Sequence, residues 1–233
     1  MCGYAMEMIF SPWFAWRKEF DPDLWEELIE GHARYLARLS ELSGAVVLGS
    51  RPVERRKRRL NEAFIHDASG LRPSRSKVFL PDEEGFWEAR WYHPGPRRFE
   101  TARAGEAVVG FAICSELWFF EVSRGFGRDG AHLVACPRAT GKSTLQKWLA
   151  GGRASAVVSG AFSISSNRVN PPGLEADLGG MGWIVDPDGK GRVAHDAFLH
   201  TTNPQVWLAG DAAGGMMQTP VASYEGRTVA LSI

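Results

Sequence analysis

The chain has 233 residues, enough for one large domain or one and a half small ones. Lysine plus arginine and aspartate plus glutamate both number 27, so no net field draws it to nucleic acid or anionic lipid. No apolar run approaches the roughly 20 residues a bilayer span needs, which excludes a helical membrane protein. Three cysteines (Cys2, Cys114 and Cys136) lack CxxC or metal-ligand spacing, which predicts a reducing, cytoplasmic setting rather than a disulfide framework. The start, Met1-Cys2-Gly3-Tyr4-Ala5, has no basic segment leading into an apolar core and does not read as a secretory signal. Nine tryptophans predict an aromatic-lined interior.

In chain order, Met6–Phe10 reads as a strand and Ser11–Trp16 as an aromatic loop. Asp21-Pro22 supplies an N-cap and a first-turn proline. Leu24, Trp25, Leu28, Ile29, Leu36, Leu39 and Leu42 then follow at helical spacing to about Ser43. Ala45–Gly49 is a short buried strand. The run Arg55-Arg56-Lys57-Arg58-Arg59 lacks an interleaved aromatic platform and reads as a solvated hairpin turn. Leu60–Asp67 is the next strand, Ala68-Ser69-Gly70 a turn, and Ser76–Glu88 a charged, aromatic loop. Ala107–Ile113 is a buried strand. His132–Cys136 is a strand, Ser143–Ala156 a helix and Val157–Ile164 a further strand. Short apolar strands alternating with helices predict a layered α/β domain. Gly141-Lys142-Ser143-Thr144 looks like the end of a phosphate-binding loop, but Cys136 stands where the first glycine is needed.

Cys114 lies where the strand gives way to Ser115, an N-cap candidate, and Glu116, an early helical acid. A thiol at such a turn sits where a helix N-terminus favours a thiolate and free N–H groups can hold an oxyanion. The plainer reading of a lone cysteine is a buried apolar side chain, and this is the reading for Cys136. His32, His66 and His93 have no metal-site spacing.

Four segments, in order, resemble the carbon–nitrogen hydrolase (nitrilase) superfamily. Glu7-Met8-Ile9-Phe10-Ser11-Pro12-Trp13-Phe14 resembles the segment that opens on the catalytic glutamate, with Met6 at the usual proline. Ser76-Lys77-Val78-Phe79-Leu80-Pro81 resembles the catalytic-lysine segment, and Gly110–Phe119 the nucleophile elbow. Gly160–Arg168 with Gly179–Gly189 resembles the late strands and turn. The resemblance implies an αββα sandwich over residues 1–189 and a Glu-Lys-Cys triad of Glu7, Lys77 and Cys114. Glu88 matches a second glutamate that anchors the lysine. It further implies a cysteine-dependent hydrolase of non-peptide C–N bonds working through a thioester, with no cofactor, no metal, a small amide-type substrate and a homodimer. Flanked by two carboxylates, Lys77 is expected to stay protonated. Nitrilases of the family carry tryptophan after the nucleophile; Ser115 stands here, which favours an amide or N-carbamoyl substrate over a nitrile.

The resemblance departs at both ends. Family members carry some forty residues before the glutamate strand, so the domain is expected to be incomplete at its N-terminus. Residues 190–233, with Thr201-Thr202-Asn203-Pro204-Gln205-Val206-Trp207-Leu208-Ala209-Gly210-Asp211, resemble the FAD-domain end of disulfide reductases and mercuric reductase, in which the aspartate matching Asp211 binds the flavin. No GxGxxG follows a strand and no CxxxxC pair is present, so this segment is expected to be a fused strand–helix fragment that holds no flavin. Two alternatives stay open: a piece of an FAD-dependent oxidoreductase, and an inactive fusion remnant.

Overall fold

The computed structural model describes residues 3–7, 13–42, 44–168, 178–188, 199, 207–209 and 219–232, with backbone alone for 3–7, 219–222 and 231–232. Asp21 caps the first helix, α1 (Pro22–Ala37), by accepting the Leu24 N–H at 3.1 Å, and Pro22 fills the first turn where no N–H is required. The inward stripe buries Trp25, Leu28 and His32, and a single 3₁₀ turn (Arg38–Glu41) carries the chain onward.

The first sheet has the order β1-β2-β3-β4, formed by Gly3–Glu7, Val46–Arg55, Arg58–Asp67 and Gly70–Ser76. β1 runs parallel to β2, and the other pairs are antiparallel. The basic run forms the turn between β2 and β3, with Arg55 opposite Arg58. Arg56 and Lys57 take φ of 50° and 61°, the left-handed pair that lets a two-residue hairpin follow the strand twist.

The second sheet has the order β5-β6-β7-β8-β9, formed by Ala102–Ala104, Ala107–Phe111, Leu133–Arg138, Phe162–Asn167 and Trp183–Val185. Its three central strands are parallel and are joined by α3 (Phe120–Arg128) and α4 (Leu145–Ser159). A single turn, α2 (Glu88–Trp91), lies between the two sheets in sequence, and α5 (Thr219–Ser232) ends the chain. The domain is therefore α/β with a nitrilase-like layering, as the sequence predicts.

Strand alternation decides which residues meet. Val46, Leu48, Ala63 and Ile65 of the first sheet share one buried core with Val109, Phe111 and Ala135 of the second. Val47 and Phe64, on the opposite face, pack with Leu36 and Leu39 at the end of α1. α3 seats directly on β6: a Cβ at Gly110 would collide with the Phe126 ring, so the glycine sets how closely helix and strand approach.

The strand expected over Val157–Ile164 is corrected. Val157–Val158 reads as the start of a strand, but α4 continues to Ser159 and ends on Gly160 at φ 65°, whose N–H returns to the Ala156 carbonyl. Tertiary packing overrides the β-branched propensity, because Gly151 and Gly152 bring α4 against Trp118 and Trp183. The strand begins only at Phe162. Among the described residues no helix is long and apolar enough to cross a membrane.

Candidate active site

Cys114 follows β6 and opens a 3₁₀ turn, Cys114–Trp118. It is buried, and its φ of 47° places a non-glycine residue in the left-handed region, which costs about 1–2 kcal/mol. The surroundings hold it there: the Glu116 N–H donates to the Ile113 carbonyl at 3.1 Å, and the Phe119 N–H to the Glu116 carbonyl at 3.1 Å. Ser115 is not the helix cap the sequence suggests. Its hydroxyl donates to the Phe79 carbonyl at 2.8 Å, because the 3₁₀ turn points it at the loop after β4.

Lys77 directly follows β4. Its own N–H donates to the Asn61 carbonyl at 2.8 Å, and its carbonyl accepts from the Gly95 N–H at 2.7 Å. The side chain has no exposed surface, and Nζ donates to both oxygens of Glu88 at 2.8 Å each. Glu88, likewise fully buried, is the first residue of α2. Aromatic packing fixes that turn. Trp91 and Tyr92 join Trp13, Phe14 and Trp25 in a second buried cluster, the Trp91 indole donates to the Arg17 carbonyl at 2.7 Å, and the Trp87 N–H reaches the Ala15 carbonyl at 2.7 Å. Much of the tryptophan content thus supports the anchor of the lysine.

Glu116 and Arg75 have roles in the structure that the sequence does not show. The sequence suggests an early helical acid, but Glu116 is fully buried, two residues after Cys114. It accepts the Val78 N–H at 2.7 Å, the Ile113 N–H at 2.9 Å and both terminal nitrogens of Arg75. Arg75 also donates to the Phe111 carbonyl at 3.0 Å and stacks 4.6 Å from the Phe99 ring. A usable signal was present: an arginine two residues before the lysine and an acid two after the cysteine.

Glu7 is the last residue of β1, with Ser50 as its register partner; its side chain lies outside the described residues. β1 packs against β7 and β8 of the other sheet. Asp211 also lies outside the described residues. The structure therefore joins Lys77 to Glu88 directly, and the lysine segment to the Cys114 elbow through Glu116. Cys136 is a buried strand residue, as expected, with Sγ 3.9 Å from the Cys114 carbonyl. Among the described residues no three His, Cys, Asp or Glu groups gather as a metal would require.

Two stacked sheets carrying a left-handed cysteine at a strand end and a buried lysine–glutamate pair define an α/β fold with a cysteine elbow. The chain belongs to the carbon–nitrogen hydrolase family, whose model matches residues 7–198. It is 27% identical over 175 residues to the N-carbamoylputrescine amidase of Arabidopsis thaliana, covering 66% of this chain and 58% of that protein. To the N-carbamoylputrescine amidase of Solanum lycopersicum it is 26% identical over 145 residues, covering 56% of this chain and 48% of the relative. The chain thus spans about half the length of the curated relatives it matches. Among solved structures, the carbon–nitrogen hydrolase of Helicobacter pylori G27 superposes with a TM-score of 0.71 at 22% identity, over 81% of this chain and 71% of the other. The amidase of Nesterenkonia sp. superposes with a TM-score of 0.60 at 23% identity, over 72% and 63%.

Proposed function

We propose that this protein hydrolyses the C–N bond of a small, non-peptide amide or N-carbamoyl compound, with Glu7, Lys77 and Cys114 as the reacting groups and Glu88 positioning the lysine. The observation that carries this reading is the fully buried Lys77–Glu88 pair, whose lysine precedes the Val78 N–H that Glu116 ties to a strained cysteine elbow. A buried ammonium and a cysteine nucleophile are the groups that acyl transfer of this kind requires. The relatives are named amidases, and Ser115 stands where nitrilases of the family carry tryptophan; both favour an amide over a nitrile.

The chemistry follows from those groups. Cys114 Sγ attacks the carbonyl carbon while its proton passes to the Glu7 carboxylate. The Lys77 ammonium and the N–H following Cys114 hold the oxyanion. Collapse expels ammonia or an amine, which takes the proton from Glu7 and leaves a thioester on Cys114. Water then attacks the thioester, giving a proton to Glu7. A second collapse releases the acid, and the proton returns from Glu7 to the thiolate.

The test is ammonia or amine release from a panel of amides and N-carbamoyl amines, with Cys114→Ala as the control. Loss of turnover in the variant is expected; an unchanged rate overturns the reading. Acrylamide, which adds to the active-site cysteine in a variant of the Nesterenkonia amidase, supplies a second probe. Peptide mapping should find its adduct on Cys114 in preference to Cys2 and Cys136.

A further inference from the structure

The four donors around Glu116 account for the acceptor capacity of one carboxylate. Oε1 takes the Val78 N–H and one Arg75 nitrogen, and Oε2 takes the Ile113 N–H and the other. Val78 is the neighbour of Lys77, and Ile113 is the neighbour of Cys114. One side chain therefore grips the peptide beside each reacting residue, across segments that follow strands of different sheets. The Ser115–Phe79 bond runs alongside it. With its lone pairs committed inside the protein, the carboxylate has none to offer a substrate.

We infer that Glu116 is a positioning residue that sets the separation of Cys114 and Lys77, with Arg75 balancing its buried charge. The catalytic consequence rests on the proposed hydrolase reading; the mechanical role does not. Glu116→Gln is the informative change. The amide has one oxygen, so in either orientation its NH2 group faces a backbone N–H, and the tie to Val78 or to Ile113 is lost.

The experiment combines steady-state kinetics on the amide panel with hydrogen exchange and melting temperature. In Glu116→Gln, kcat is expected to fall about a hundredfold with little change in KM, the effect of misplacing reacting groups by an ångström. Exchange should rise together in peptides covering 76–79 and 111–117, two segments far apart in sequence, while β7 and β8 keep their protection. Should that variant not fold, Arg75→Lys keeps the charge but loses the fork and the Phe111 bond. It is expected to show the same paired exchange and about a tenfold loss of kcat. A wild-type kcat in either folded variant overturns the inference. So does a rise in exchange across the whole domain with kcat tracking melting temperature, and so does failure of both variants to fold. If the wild type turns over no amide, the function reading falls, and the paired exchange alone decides the role of Glu116.

Discussion

Glu88 holds the Lys77 ammonium with both carboxylate oxygens, each 2.8 Å away, and neither side chain has any exposed surface. Two charges without water are costly singly and tolerable together. Glu88→Gln is therefore expected to destabilise the fold by about 3–5 kcal/mol, because it breaks a buried ion pair by removing one partner. Replacing both, as Lys77→Met with Glu88→Leu, should recover most of that loss while leaving the protein without turnover. Urea unfolding checks both statements; equal stability of Glu88→Gln and wild type would show that the pair is not the buried anchor described.

The left-handed backbone of Cys114 makes a second expectation. Glycine adopts a φ of 47° without the Cβ penalty that alanine carries, so Cys114→Gly should be more stable than Cys114→Ala by about 1 kcal/mol. Chemical denaturation of the two variants measures this. Identical stabilities would mean that the elbow carries no strain.

His32 supplies a pH dependence. Burial, with the Arg168 and Arg51 charges, lowers its pKa from 6.5 to about 4, against the opposing hydrogen bond with the Leu28 carbonyl. The unfolded chain then binds one more proton than the folded one between those two values. Its stabilising contribution is whole above pH 6.5, declines as the pH falls, and levels off below about pH 4, with a total of about 3 kcal/mol at most. Urea midpoints from pH 7.5 to 4.5 for wild type and His32→Gln should diverge over this window, the wild type falling more steeply. Parallel curves would refute it.

The β2–β3 hairpin places Arg56 and Lys57 at positive φ, where asparagine and glycine are at ease. Arg56→Asn with Lys57→Gly is expected to stabilise the domain by about 1 kcal/mol, or about 2–4 °C in melting temperature for a domain of this size. Calorimetry reads the shift; a lower melting temperature would mean that the two side chains contribute more than their backbone costs.

Local chemistry made several elements legible. Asp21-Pro22 announces α1 through an N-cap bond four residues wide, and the basic run announces a turn because five adjacent cations cannot be buried. The pairing of Lys77 with Glu88 followed from a family resemblance, not from spacing. Ser115 and Glu116 depart from the helix-cap expectation for a physical reason. Next to a strand end they suit a helix cap, yet their partners are Phe79 and Val78, brought in by the fold from the loop after β4. The overrun of α4 past Val157 has the same origin, since Trp118 and Trp183 lie far from it in sequence.

Lys77 leaves the last strand of one sheet, and Cys114 follows the second strand of the other. The two leaves touch mainly through apolar side chains, which resist separation far more than they resist lateral slip. The site is thus a gauge of how the leaves are registered. On the proposed reading, a shift of an ångström along their interface would silence the chemistry while every strand keeps its hydrogen bonds, and the buried Arg75–Glu116 pair would be the latch against that shear.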